Sequence, residues 1–135
     1  MSCSKSQKSE PNPFTDQIAH KVIGAAIEVH KALGPGFLES VNAEALSIEL
    51  EINQSAFERQ YEINVNYKGR EVVRSRLDLL IENCLIVELK AVDALQAVHH
   101  AQVISYLKAT KCQLGLFINF NVPVLRQGIR RIILS

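Results

Sequence analysis

Asp78, Glu88 and Lys90 are the residues of this chain whose types and spacing suit chemistry. Two carboxylates offer the hard oxygen donors that Mg²⁺ or Mn²⁺ prefers, and a lysine two positions after the second offers a fixed ammonium beside an attacking water. The same residues have a plainer account. Lys90 and Arg76 can neutralise the two acids as a salt-bridged strand pair, because carboxylates held opposite one another persist only with positive charge nearby. Taken alone, these residues leave both accounts open.

The segment that must position them runs from Arg76 to Ala91 and holds two apolar stretches separated by Glu82-Asn83, the pattern of two strands and a tight turn. A three-residue loop, Glu82 to Cys84, sets Ile81 against Leu85 and Asp78 against Glu88, whereas a two-residue loop sets Asp78 against Val87. Only the first pairing sorts the side chains. It places Leu77, Leu79, Ile81, Leu85, Val87 and Leu89 on a core face, and Arg76, Asp78, Leu80, Ile86, Glu88 and Lys90 on a face with a charged cluster.

Around this hairpin the chain alternates helix and strand signals. Ile18, Val22, Ala25, Ala26, Val29 and Leu33 recur at helical spacing, with Gly34-Pro35 as a stop. A second helix, roughly Leu38 to Glu51, carries Leu38, Val41, Ala45, Ile48 and Ile52, and Glu39 sits in its first turn, where the helix dipole favours a carboxylate. Phe57 to Tyr67 alternates as a half-exposed strand, and Lys68-Gly69 turns it into the next. A third helix, about Leu95 to Lys108, is predicted to turn Leu95, Val98, Ala101, Ile104 and Leu107 inward and to leave His99, Gln102 and Tyr106 as a solvent-facing polar stripe. Leu114 to Phe120 reads as a strand buried on both faces, and Ile129 to Leu134 as a short last strand. His20, His30 and the adjacent His99-His100 have no partner at ligand spacing; neighbours on a helix point about 100° apart.

The 135 residues, 47% hydrophobic and 21% charged, suit one ordered domain, with Met1–Pro13 as a flexible polar tail and residues 14–135 as the folded unit. No apolar run approaches the ~20 residues of a membrane span and no signal-peptide core is present, so the expectation is a cytoplasmic protein with no membrane role. Cys3, Cys84 and Cys112 have no metal-site or disulfide spacing and are expected as free thiols. A net charge of +1 excludes binding to nucleic acid by bulk charge alone, but the distribution is uneven. Up to residue 56 there are four Lys/Arg against seven Asp/Glu, a net of −3; from residue 57 there are eleven against seven, a net of +4. The basic half is the one that holds Asp78 and Glu88, which favours a phosphate-bearing substrate.

Asp78 followed by Glu88-Leu89-Lys90 resembles the Asp and Glu-x-Lys signature of the PD-(D/E)xK nuclease superfamily. Gly36-Phe37-Leu38-Glu39-Ser40-Val41 and Ile118-Asn119-Phe120-Asn121-Val122-Pro123 are similar to a small branch of it, the GxxExxY proteins, and the likeness runs from about Ile18 to the C-terminus. The resemblance implies an α/β fold, a mixed sheet flanked by helices in a restriction-endonuclease-like αβββαβ core, with an extra N-terminal helix. It also implies Mg²⁺ or Mn²⁺ held by Glu39, Asp78 and Glu88, with no organic cofactor, and DNA or RNA as substrate. Lys90 would orient the water, and Gln102 and Tyr106 would contact phosphate or water. Asn42 departs from the branch pattern, standing where tyrosine is expected. The rival expectations are a non-catalytic nucleic-acid or protein binding module on this fold, and a structural protein whose charged strands are salt-bridged. Self-association is compatible with the half-exposed strand, but the sequence fixes no interface.

Overall fold

A computed structural model describes residues Asn12–Leu134; Met1–Pro11 of the expected tail, and Cys3 with it, lie outside the described residues. Helix α1, Pro13–Leu33, starts where the Asn12 side chain accepts the Thr15 N–H at 2.8 Å and proline takes the first helical position. It stops at Gly34, whose φ of 74° suits glycine and whose N–H donates to the His30 carbonyl at 2.8 Å. The predicted apolar face is the buried one: Ile18, Val22, Ala25, Ala26 and Val29.

Helix α2, Glu39–Ile52, packs against α1. Strands β1 (Phe57–Tyr67), β2 (Arg70–Ile81), β3 (Leu85–Lys90), β4 (Leu114–Asn119) and β5 (Ile129–Ile133) lie side by side in that order, and helix α3 (Ala97–Thr110) connects β3 to β4. Neighbours are antiparallel except β3 and β4, whose parallel pairing needs such a crossover. The order of elements is the expected αβββαβ core preceded by one extra helix, a mixed α/β sheet. No described helix is long and apolar enough to cross a membrane.

Both faces of the sheet are covered, which corrects the expectation of one core face and one charged face. On one side, α1 brings His30 Nε2 to the Val122 carbonyl at 2.9 Å and its ring to Phe120, while Asp16 pairs with Arg131 of β5 at 2.8 Å. On the other, α3 covers Leu80, Ile86 and Glu88, all buried. Every residue of β4, and of β3 up to Leu89, is buried. At about 1.5–3 kcal/mol per buried aliphatic side chain, a one-residue slip of this pair is prohibitive, and so the positions of Glu88 and Lys90 are fixed.

Two helices present faces other than those expected. In α3 the buried residues are Val103, Tyr106 and Leu107, whereas Val98 and Ala101 are exposed. Gly115 of β4 is the cause: a Cβ there would meet Val103 Cγ1 at 2.7 Å, so the bare backbone seats Val103 and Leu107 and rotates the polar stripe toward the sheet. In α2 the buried residues are Asn42, Leu46, Ser47 and Leu50, and the periodic set Leu38, Val41, Ile48 and Ile52 faces out. The expected apolar side of β1 likewise holds only to Ile63; Val65 and Tyr67 are exposed.

Candidate active site

The β2–β3 turn is built as the three-residue loop requires. Glu82 and Asn83 take left-handed φ values of 52° and 57°, and the Glu82 carboxylate anchors the turn by accepting the Ala56 N–H at 3.0 Å. The ladder then runs Ile81 to Leu85, Leu80 to Ile86 and Leu79 to Val87. At the next step, where Asp78 faces Glu88, the carboxylates take over from the backbone. The Asp78 N–H donates to Glu88 Oε2 and the Leu89 N–H donates to Asp78 Oδ2, both at 2.8 Å. Each acid satisfies a backbone donor of the opposite strand, so the two are clasped across the hairpin.

Their electrostatics are those of a crowded pair, with Glu88 buried and Asp78 half-buried. Burial raises the protonation range of Glu88 to about 8, the charge of Asp78 adds to the rise, and the Asp78 N–H and the Lys90 ammonium oppose it. Asp78 is raised in the same sense by burial, against the Leu89 N–H, Lys90 and the Gln60 side chain. Two acids both pushed up by burial, each clasped by a backbone N–H, form a donor set short of positive charge, and a divalent cation is the natural counter-charge. Their hard oxygen chemistry fits Mg²⁺ or Mn²⁺.

Glu39, the third acid of the expected set, lies close enough for its charge to raise both partners. Its Oε2 accepts the Ala91 N–H at 3.1 Å, and the side chain borders an open groove of about 540 Å³ lined also by Phe37, Leu38, Ala91 and Asn121. Among the described residues, no three His, Cys, Asp or Glu side chains are gathered to hold one ion. Lys90 is half-buried at the end of β3. The chain just beyond it is latched by buried Asn119, whose Oδ1 accepts the Val92 and Asn121 N–H groups and whose Nδ2 donates to the Val92 carbonyl. The Phe120 N–H also donates to the Lys90 carbonyl at 2.9 Å.

The α3 residues reach the site's side of the sheet but take structural partners. Tyr106 is buried with its hydroxyl 3.0 Å from Ser75 Oγ, tying α3 to β2 three residues before Asp78. His99 Nδ1 accepts the Gln96 N–H at 3.1 Å, capping the helix, and its ring lies 5.6 Å from that of Phe117, the residue paired with Glu88. Gln102 is half-buried between them.

Sequence reasoning missed Gln60 and the role of Asn119. Gln60 lies between Arg59 and Tyr61, which pair with Leu79 and Leu77, so it stands opposite Asp78 on the same face of the sheet; its φ is 54°, and its amide hydrogen-bonds that carboxylate. The signal lies in the pairing of β1 with β2, not in β1 alone. For Asn119 a signal existed: two asparagines flank Phe120 where β4 ends.

A search of curated proteins finds no match. Among solved structures, one titled "Crystal structure of SSO0001" superimposes with a TM-score of 0.56 at 16% identity, covering 90% of this chain and 60% of that one. The likeness is one of fold, and this chain spans about 60% of that structure's length. The model of the PD-(D/E)XK nuclease superfamily matches residues 16–132, from the first turn of α1 through β5 and across the Asp78–Glu88 clasp. With that span matched, and with an acid on β2 set opposite a Glu-x-Lys on β3, this chain belongs to the PD-(D/E)xK nuclease superfamily.

Proposed function

We propose that this domain is a metal-dependent nuclease that hydrolyses phosphodiester bonds in DNA or RNA, with Asp78 and Glu88 holding Mg²⁺ or Mn²⁺ and Glu39 completing the acidic shell. The observation that carries the reading is the reciprocal clasp of half-buried Asp78 and buried Glu88, with the charge of Lys90 acting on both members. When bound, the cation supplies Lewis-acid polarisation of the phosphoryl oxygen and acidifies the attacking water. The chain's own residues do the rest. Lys90 orients the water and offsets the charge that builds on phosphorus, and Asn119 holds the segment after Lys90 in place. Gln102 is the α3 side chain available to a phosphate or water. Tyr106, spent on Ser75, serves by holding α3 against β2.

Substrate charge has a matching surface. Beyond Ile63, β1 and β2 continue as a two-stranded ribbon whose Lys68, Arg70 and Arg74 are exposed, as is Arg76 at its base. Arg74 pairs with Glu62 at 3.3 Å and Glu71 at 3.2 Å, and the other three face solvent two to ten positions before Asp78. We assign the chain to the GxxExxY branch on Gly36, Glu39 and the Asn119–Pro123 tail. Asn42, in the tyrosine position, is buried with both amide atoms unpartnered.

One observation favours the rival, a non-catalytic binding module: each carboxylate already satisfies a backbone donor, and Glu39 is engaged at Ala91. The deciding experiment incubates the purified chain with labelled DNA and RNA in Mg²⁺, Mn²⁺ or EDTA, beside Asp78→Ala. Metal-dependent cleavage absent from the variant supports the nuclease. Binding without turnover in every metal supports the module.

A further inference from the structure

The outer face of α2 supplies no residue to the Asp78–Glu88 clasp and only Ala45 to the margin of the core, yet its large aliphatic side chains are left uncovered. Leu38, Val41, Ala45, Ile48 and Ile52 follow one another at steps of three, four, three and four, the 3.5-residue repeat of a helix-pairing seam; the four large members are exposed, and Ala45 at the centre is half-buried against the core. Leu38 is 73% exposed, Ile48 49% and Ile52 66%. The helix already buries a second face, Leu46 and Leu50, against the body of the protein. A surface helix ordinarily shows one apolar stripe and a charged reverse; this one is apolar on both.

Charge selects what covers it. From Glu39 to Ile52 the helix contains four glutamates and no lysine or arginine. Glu44 and Glu51 border the seam on one side and Glu49 on the other, the positions that set partner choice in paired helices. Arg59 of β1 is spent on Glu44 at 2.8 Å, and among the described residues no salt bridge reaches Glu49 or Glu51. A second copy would set these acids against their own kind in either orientation. The N-terminal segment Met1–Pro11 has no Leu, Ile, Val or Phe to fill the seam.

We infer that the outer face of α2 docks an amphipathic helix of a partner protein, with aliphatic residues at alternating three- and four-residue steps and Lys or Arg beside them. The seam spans about 21 Å at 1.5 Å per residue, the footprint of a single helix lying in a groove. The docked partner sits beside the groove at Glu39 without entering the Asp78–Glu88 clasp. This inference is independent of the nuclease reading, because Val41, Ile48, Ile52 and the flanking Glu44, Glu49 and Glu51 take no part in the proposed chemistry, and Leu38 only borders the groove at Glu39.

The probe is a synthetic helix with leucine at the same spacing and lysine at the flanking positions, measured by fluorescence anisotropy against the full chain. A second peptide carries glutamate in place of each lysine. The lysine peptide binds, the glutamate peptide binds at least tenfold more weakly, and Ile48→Ser with Ile52→Ser weakens the lysine peptide at least tenfold. That double variant keeps every charge and alters only exposed positions, and an unchanged melting curve checks its fold. Failure of the lysine peptide to bind, equal binding of the two peptides, or full binding by the double variant overturns the inference. So does a dimer in sedimentation equilibrium that the double variant abolishes, which assigns the face to a second copy.

Discussion

The two halves of β2 belong to one strand and live in different environments. From Leu77 to Ile81 the residues are buried apart from half-buried Asp78, whereas from Arg70 to Arg74 every residue is exposed. The reason is length. β3 has six residues and pairs only with the last part of β2, so the first part has β1 as its sheet partner and touches α3 through the Ser75–Tyr106 bond. Asp78 stands where the shared sheet gives way to the free ribbon. On the proposed function, a nucleic acid gripped along the ribbon would be led to the clasp, which would separate binding from chemistry along a single strand.

That separation can be broken in a graded way. The largest effect is expected at the buried end. Lys90→Met should lower the single-turnover cleavage rate by about 10²–10³-fold, the scale for loss of one preorganised electrostatic group, while nucleic-acid affinity stays within a few-fold. Equal losses in affinity and rate would erase the distinction between the two halves.

At the exposed end, Lys68→Gln, Arg70→Gln and Arg76→Gln together should weaken binding by roughly tenfold or more. They should also flatten the slope of log affinity against log salt by up to about 3, since each phosphate contact contributes ~0.9. The cleavage rate of bound substrate should not move. Anisotropy titrations at several salt concentrations, with single-turnover kinetics, read both quantities.

Next comes the titration of the clasp itself. Glu88 holds its proton to about pH 8 in the folded protein, against an ordinary value of 4.5. The folded state therefore binds a proton that the unfolded chain has released, and stability present below about pH 4.5 is lost as pH rises through 8. Glu88→Gln keeps an acceptor for the Asp78 N–H but cannot ionise. It should flatten this loss and exceed the parent in stability at pH 9 by a few kcal/mol, on the scale of about 1.4 kcal/mol per pH unit. Urea unfolding at pH 6 and pH 9 in EDTA measures it.

The smallest effect lies at Asn42, a buried polar group with no partner, in contrast to the acids whose oxygens are engaged. Asn42→Leu should stabilise the domain by roughly 1 kcal/mol, because it removes a desolvated amide without breaking a bond. A thermal melt decides the sign.

How much of this could be read in advance depends on the range of the determining contact. The hairpin register was legible because alternation and loop length act locally: a three-residue turn sorts Leu79 from Leu80, and the strands pair in that way. The buried face of α1 was legible for the same reason. The rotation of α3 was not, since Gly115, on a different element, decides which of its faces can approach the sheet. Tyr106 looked like a site residue, and a tertiary contact with Ser75 gives it another partner. The exposure of Leu38, Ile48 and Ile52 was equally hidden: periodicity reveals an apolar stripe but not whether this chain covers it. Gln60 shows the limit most plainly, because its meeting with Asp78 depends on the register between β1 and β2, which the alternation within either strand does not fix.

The most direct test of the clasp as a metal-dependent centre is calorimetric titration of Mn²⁺ into the chain at pH 7, in buffers of different ionisation enthalpy, beside Asp78→Ala. The account predicts one ion per chain, bound with release of a proton from the Asp78–Glu88 pair, and no binding to the variant. Absence of binding to the parent, or binding that Asp78→Ala leaves intact, contradicts it.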